Sequence, residues 1–198
     1  MDRMGDFDSS KVFNRFCWNM MKLLGICDSG FSESLMSLMN AHDHADFHVK
    51  SKRHGTDLLK IIDHVFHDCN LVLAGANLDS ISDVCNALDW LTNFNLSALN
   101  ISWALKERND EIIYRLRQIQ KKGTSIFCAK NERLPYPWSE FIGIGKEEQS
   151  DEIDWLDIRG SSVSCAIHSA LFMKRICEGK DKIMINHFTN LDQLNLQI

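Results

Sequence analysis

The spacing of apolar residues predicts helices in the N-terminal part of the chain. Apolar side chains recur at helical intervals over 11–24, "KVFNRFCWNMMKLL", with Ser9 or Ser10 placed to cap the helix and Gly25 to end it. A second helix is predicted for "SESLMSLMNA", with Ser32 as its cap. The following stretch, "NAHDHADFHVKSKRHG", shows no such period, so we expect a polar, solvated loop there.

The middle of the chain alternates between strand and helix patterns. The apolar run "NLVLAGANL" is closed by turn residues and predicts a strand, and "SISDVCNALDWLTNF" predicts a helix capped by Ser80 or Ser82. A long helix is predicted over 97–122, since its basic end suits the negative end of a helix dipole. "TSIFCA" predicts a further strand, "LPYPW" a turn that contains both prolines, and "GIGKEEQSDE" a loop.

The segment 154–176, "DWLDIRGSSVSCAIHSALFMKRI", changes its period in the middle. Alternating apolar residues before Gly160 predict a strand, and the residues after it recur at helical intervals. Cys165 thus lies at a predicted strand-to-helix junction, where Ser161 or Ser162 can cap the first turn. Backbone N–H groups at such a helix start favour a thiolate and can hold an oxyanion. Cys165 is therefore a candidate nucleophile, and the alternative is a small buried core residue.

Composition and charge limit the classes of protein that this chain can belong to. With 198 residues, 44% hydrophobic and 25% charged, it is expected to be globular, with a polar tail at 1–10 and a single domain over 11–198. The formal net charge of −5 argues against a DNA or RNA partner. Seven cysteines without short CxxC spacings indicate free thiols in a reducing compartment.

Membrane and metal signals are weak in this sequence. It contains no run of about 18 apolar residues that would predict a transmembrane segment, and its acidic first residues do not resemble a signal peptide. Export would then use a route that does not depend on a signal peptide. His42, His44 and His48 lie close together, but their spacing fits no helical metal motif, so no metal is assigned.

The sequence "DIRGSSVSCAIHSALFMKRI" at 157–176 resembles the nucleophile segment of the YopJ family of type III secreted effectors, which are cysteine-protease-like acetyltransferases. In that family a Ser-Ser pair precedes the catalytic cysteine and a similar helix follows it. "KIIDHVFHDCNLVLAGANLDS" looks like the paired strands that carry the family's histidine and acidic residue, and "NERLPYP" is similar to the segment upstream of its nucleophile strand. Two positions depart from the pattern, because Arg159 stands where the family has Gln and Ala166 where it often has Gly.

The resemblance implies a mixed α+β fold, a cysteine-protease-like core with a small sheet flanked by helices and a helix-rich N-terminal half. The predicted helix over 97–122 would be an insertion into that core. The family's triad histidine would fall near Leu58, where His54, His64 and His67 are the nearby candidates, and we take His54 as the partner of Cys165. The family's acidic residue would fall near Ala74 or Gly75, and neither residue is acidic.

The resemblance also implies an activity. Cys165 would accept an acetyl group from acetyl-CoA as a thioester, His54 would act as general base, and the acetyl group would pass to a Ser, Thr or Lys of a host protein, such as a kinase. Inositol hexakisphosphate would bind basic residues, for which the candidates are Lys174, Arg175, Lys180 and Lys182. The protein would act in the host cytoplasm as a virulence effector. The alternatives are a catalytically degenerate member that binds a host protein, and an unrelated helical protein.

Overall fold

The computed structural model describes residues 21–37, 39–131, 133–145 and 160–179, in which strands and helices alternate. The first half contains β1 (Leu23–Asp28), α1 (Glu33–Met36), β2 (Ala41–Phe47), α2 (Arg53–Val65), β3 (Asn70–Ala76) and α3 (Ile81–Leu91). The second half contains β4 (Leu96–Ile101), α4 (Asp110–Lys121), β5 (Ser125–Ala129), a 3-10 turn (Trp138–Glu140), β6 (Ile142–Ile144) and α5 (Ser161–Cys177).

The six strands form one sheet in the order β2-β3-β1-β4-β5-β6, and every pair of neighbours is parallel. The central strands are buried along almost their whole length because helices cover both faces. Side chains of α2 and α5 pack on one face, and those of α3 and α4 on the other. The predicted mixed fold of helices and strands, with a sheet flanked by helices, is confirmed, and the sheet is parallel throughout.

Local sequence signals account for several helix starts. Ser80 caps α3, since its Oγ accepts a hydrogen bond of 3.3 Å from the backbone N–H of Asp83. Asn109 caps α4 in the same way, with Oδ1 accepting from the N–H of Ile112 at 3.0 Å. The predicted Ser80 cap is therefore confirmed.

Several other predictions from periodicity are confirmed as well. The runs read as strands correspond to β3 and β5, and the segment after Ser80 forms α3. The residues after Gly160 form α5, as their helical spacing predicts. The strand predicted before Gly160 and the polar tail 1–10 lie outside the described residues.

The predicted helix over 11–24 is wrong at its C-terminal end. Residues 11–20 lie outside the description, but Leu23 and Leu24 begin β1. A strand that is buried on both faces needs apolar residues at successive positions, and this pattern cannot be told from a buried helix by period alone. The second predicted helix is shorter than expected, because among its described residues only Glu33–Met36 is helical.

Two segments have a different structure from the one predicted. The polar stretch predicted to be a loop contains β2, an edge strand that pairs with β3, and its polar side chains are partly exposed at the edge of the sheet. The helix predicted over 97–122 is instead most of β4, a connection and α4. The predicted helical insertion is therefore a regular strand and helix of the parallel fold.

Candidate active site

The site lies at the carboxyl edge of the sheet, between β1 and β4. These strands are parallel neighbours, and Cys27 of β1 is opposite Ile101 of β4. The next residues along the two strands, Asp28 and Ser102, therefore emerge side by side, at a strand spacing of about 4.8 Å. In open parallel sheets, the crevice outside the carboxyl ends of the strands is where ligands bind.

Asp28 is the last residue of β1 and is fully buried. Its Oδ1 accepts hydrogen bonds from the backbone N–H of Ser29 at 2.7 Å and from the Ser29 hydroxyl at 3.1 Å. The same oxygen lies 2.9 Å from Nδ1 of His54. A buried carboxylate with these partners holds a negative charge directly beside the imidazole.

His54 lies in the first turn of α2, with its side chain about one third exposed, at 35%. The hydrogen bond to Asp28 raises the pKa of His54, burial opposes this, and the charges of Asp28 and Asp57 raise it further. Because an ionised carboxylate only accepts, the proton on the neutral ring is on Nδ1. Nε2 of neutral His54 therefore has a free lone pair, as a general base requires.

Ser162 is the second residue of α5, directly after Gly160 and Ser161. Gly160 has a φ of 105°, a conformation that glycine adopts without strain, and its carbonyl accepts the first bonds of the helix, from Val163 and Ser164. The Ser162 Oγ donates a 2.9 Å hydrogen bond to the backbone carbonyl of Ser102. The end of β4 thus places the hydroxyl at the edge of the sheet where Asp28 holds His54.

Asp28, His54 and Ser162 therefore come to one edge from three separate elements. Asp28 orients the imidazole, His54 presents a basic nitrogen, and Ser162 supplies a hydroxyl at a helix N-terminus. Such a set is able to activate a serine for attack on a carbonyl carbon. The N–H groups of Ser161 and Ser162 precede the first bonds within α5 and are oxyanion donors by position.

Asn131 adds a side-chain amide to this edge. It lies two residues beyond β5, the strand next to β4, and is exposed. Its Oδ1 accepts from the N–H of Arg133 at 3.0 Å, which orients the amide. The Nδ2 group is then a second candidate donor for an oxyanion.

The predicted nucleophile, Cys165, occupies a different environment. It lies in the second turn of α5, is fully buried, and its Sγ accepts a 3.3 Å hydrogen bond from Nδ2 of Asn100. Burial raises the pKa of the Cys165 thiol to about 12, against smaller opposing effects of its hydrogen bonds. The structure therefore does not give Cys165 the exposed thiolate that nucleophilic attack requires. Cys165 is a small buried core residue, which is the alternative that the sequence left open.

The other predicted partners are placed as follows. His54 lies at the site, whereas His67, two residues after the end of α2, pairs with Asp63. Ala74 and Gly75 lie buried in β3, so the carboxylate beside His54 comes from Asp28 rather than from that segment.

Two of the four predicted inositol hexakisphosphate ligands, Lys174 and Arg175, fall within the described residues. Lys174 and Arg175 are exposed in the last turn of α5, and Lys180 and Lys182 lie outside the described residues, as does Arg159. Twelve residues separate Ser162 from Lys174 in the sequence, and along a helix they span about 18 Å. A phosphate at Lys174 would also face the negative end of the helix dipole.

The described part of the chain shows neither a metal-binding cluster nor a membrane-spanning helix. Within it, no group of three or more His, Cys, Asp or Glu side chains is arranged to hold a metal ion. Over the same residues, no helix is sufficiently long and apolar to cross a bilayer.

Sequence reasoning missed Asp28 and considered Ser162 only as a helix cap. The signal for Asp28 was its place directly after the apolar run "LLGIC" and before Ser-Gly, which is typical of a strand end. The helix predicted over 11–24 includes the start of this run, so the strand end at Asp28 was not predicted. Ser162 was identifiable from the same helix N-terminus that drew attention to Cys165.

Solved structures share this architecture. The prenylagaramide maturation protease PagA matches with a TM-score of 0.62 and 15% identity, over 81% of this chain and 78% of that one. A serine-to-alanine mutant of the protease domain of PatA matches with a TM-score of 0.60 and 12% identity, over 80% of this chain and 82% of the other. The chain has the fold of these protease domains. No protein-family model and no curated protein sequence matches it.

Proposed function

We propose that this chain is a serine hydrolase that cleaves peptide bonds, with Ser162 as nucleophile, His54 as general base and Asp28 as the residue that orients His54. The observation that carries the proposal is the 2.9 Å contact between His54 Nδ1 and the buried Asp28 Oδ1, beside the strand end that holds Ser162. The order Asp, His, Ser along the chain is also the order of subtilisin-type serine proteases. The likeness in fold to two protease domains supports the choice of peptide bonds.

The reaction follows from the positions of the three groups. Ser162 Oγ attacks the carbonyl carbon of the scissile bond and its proton passes to Nε2 of His54, while Asp28 stabilises the imidazolium. The oxyanion is held by the N–H groups at the start of α5 and by the Asn131 amide. The C–N bond then breaks, His54 returns the proton to the leaving amine, and water hydrolyses the ester to release Ser162.

In the present conformation the Ser162 hydroxyl donates to the Ser102 carbonyl. Attack requires this proton to point to His54 instead. The hydrogen bond between a catalytic serine and its histidine often forms only when substrate is bound. The present bond from Ser162 to Ser102 is therefore compatible with the proposal.

The test uses a fluorophosphonate probe, which phosphonylates the hydroxyl of an activated serine and releases fluoride. Wild type is expected to gain one adduct by intact mass, and peptide mapping should place it on Ser162. Ser162→Ala and His54→Gln should lose the adduct. Ser161→Ala and His67→Gln are the matched controls, because they change the adjacent serine and the histidine that pairs with Asp63 near the C-terminal end of α2. No adduct on folded wild type would overturn the proposal and favour a non-catalytic binding module.

Acetyl transfer by Cys165 to a host protein stays a prediction from the YopJ resemblance, as do inositol hexakisphosphate binding and secretion into a host cell. Intact-mass measurement after incubation with acetyl-CoA and inositol hexakisphosphate separates the two chemistries. An acetyl adduct that is lost in Cys165→Ala would support the acetyltransferase, whereas one lost in Ser162→Ala would place acyl chemistry on the serine.

A further inference from the structure

A cluster of buried polar side chains lies directly beneath Ser162, between β4 and α5. Its members are Asn100, Ser102, Cys165 and Ser169, which are all at most 4% exposed. Asn100 Nδ2 donates to Cys165 Sγ at 3.3 Å and to Ser169 Oγ at 3.1 Å. Asn100 Oδ1 accepts from the Ser102 hydroxyl at 2.7 Å. Asn100 is therefore the one member that bonds to each of the other three.

This cluster is unusual for its position in the fold. The centre of a parallel sheet covered by helices is normally apolar, and β4 is otherwise built of residues such as Leu99 and Ile101. A buried amide costs free energy unless its donors and acceptor are satisfied, and here both ends of the Asn100 amide have partners. A satisfied polar network of this kind fixes one arrangement of the elements that it joins.

The cluster is connected to the nucleophile through Ser102. The Ser102 carbonyl accepts from Ser162 Oγ at 2.9 Å, and the Ser102 hydroxyl lies 3.4 Å from the Ser162 carbonyl. A hydroxyl has one proton, and the shorter contact, to Asn100, is the stronger one. Asn100 therefore orients Ser102, and Ser102 contacts Ser162 with both its main chain and its side chain.

We propose that Asn100 is a positioning residue of the site. By joining Ser102 of the β4 end to Cys165 and Ser169 of α5, its amide sets the height and rotation of the first turn of α5, and with them the position of Ser162 Oγ relative to His54. The inference rests on the proposed function for its effect on rate. Its structural part, the fixing of that turn, is measurable without activity.

The rate test is fluorophosphonate labelling of Asn100→Leu and Ser102→Ala over a range of probe concentrations. Asn100→Leu is expected to lower the maximal labelling rate about 10- to 100-fold with little change in the probe concentration at half-maximal rate, since misplacement of a reacting group slows the chemical step. The double variant should be slowed much less than the product of the two single effects, because both changes break one network.

Thr124→Val is the matched control. Thr124 is also a buried polar residue, whose hydroxyl donates to the Leu96 carbonyl at 2.9 Å, but it lies at the amino end of β5, the opposite edge of the sheet. Its loss should lower stability without slowing the labelling step. Equal slowing in Asn100→Leu and Thr124→Val would show that Asn100 acts on stability alone, and would overturn the inference.

Hydrogen exchange followed by mass spectrometry provides the second readout. Peptides that cover the start of α5 should exchange faster in Asn100→Leu than in wild type or Thr124→Val. If wild type is labelled but Asn100→Leu is labelled at the same rate, the positioning role is wrong and the proposed function stands. If wild type is not labelled, the proposed function fails, and unchanged exchange at the start of α5 would refute the positioning role as well.

Discussion

Gly55 packs so closely on the carbonyl oxygen of Gly30 that a Cβ atom at position 55 would overlap it. The same Cβ would lie 2.9 Å from Cε1 of Phe31. Gly55 follows His54 in the first turn of α2, and Gly30 lies two residues after Asp28. This contact thus sets the distance between the helix that carries the histidine and the strand that carries the carboxylate.

Gly55→Ala is therefore expected to push α2 away from the β1 end. Overpacking of this kind costs about 1–3 kcal/mol of stability, and it should also weaken the hydrogen bond between His54 and Asp28. Fluorophosphonate labelling should fall more than a loss of stability explains. Gly123→Ala, at a turn where a Cβ would meet nothing within 4 Å, is a control that tests stability alone, because its φ of 89° strains alanine. Unchanged stability and labelling in Gly55→Ala would contradict this account.

Asp28→Asn is expected to keep the fold and to remove most of the reactivity of Ser162. The asparagine amide is neutral, so it no longer places a negative charge beside His54. Loss of the orienting carboxylate in such triads lowers the rate about 10⁴-fold. The labelling rate is the measurement, with the melting temperature as the check on folding. Asp63→Asn, which removes the carboxylate that pairs with His67 near the C-terminal end of α2, should label like wild type. A labelling rate for Asp28→Asn within a few-fold of wild type would refute the role of Asp28.

The labelling rate should rise with pH as His54 loses its proton. The Asp28 hydrogen bond raises the pKa of His54, so the midpoint of the profile should lie above the ordinary value of 6.5. Asp28→Asn should move that midpoint down, and His67→Gln should leave it in place. A midpoint below 6.5 in wild type would rule out His54 as the titrating base in this environment.

The same pKa shift predicts how stability depends on pH. The pKa of His54 is higher in the folded than in the unfolded protein. The contact between protonated His54 and Asp28 therefore stabilises the fold fully below about pH 6.5. This stabilisation is lost as the pH rises through the raised pKa of His54. Chemical denaturation at several pH values should show a decline across that window, and the decline should be smaller in His54→Gln. An equal decline in the two proteins would assign it to other groups.

Cys165→Ala is expected to lower stability and to keep most of the labelling of Ser162, because the Asn100 amide still bonds to Ser102 and to Ser169 of α5. The thiol is fully buried and hydrogen bonded by Asn100, so its loss removes packing and one buried contact, at a cost of about 1 kcal/mol. Under native conditions iodoacetamide should modify Cys177, which is exposed, and leave Cys165 unmodified. Rapid alkylation of Cys165 in the folded protein would return it to the list of nucleophile candidates.

The sequence alone determined those elements whose pattern has a single interpretation. Ser80 followed by an amphipathic stretch specifies α3, and the residues after Gly160 have a helical period that α5 follows. The importance of 160–165 could also be predicted, since a turn glycine before a helix exposes backbone N–H groups. The mixed fold class was implied by the YopJ resemblance. His54 became a candidate base through the YopJ resemblance, which places that family's histidine near Leu58.

Tertiary structure decided the rest. Whether Leu23 and Leu24 belong to a helix or a strand depends on whether both of their faces are covered, and the covering helices come from distant parts of the chain. The same holds for the environments of Cys165 and Ser162, which are three residues apart on one helix. Packing against β4 buries the thiol, whereas the hydroxyl lies at the strand ends where Asp28 holds His54. Local sequence carries no record of that burial, because it arises only when the parallel strands bring their carboxyl ends together.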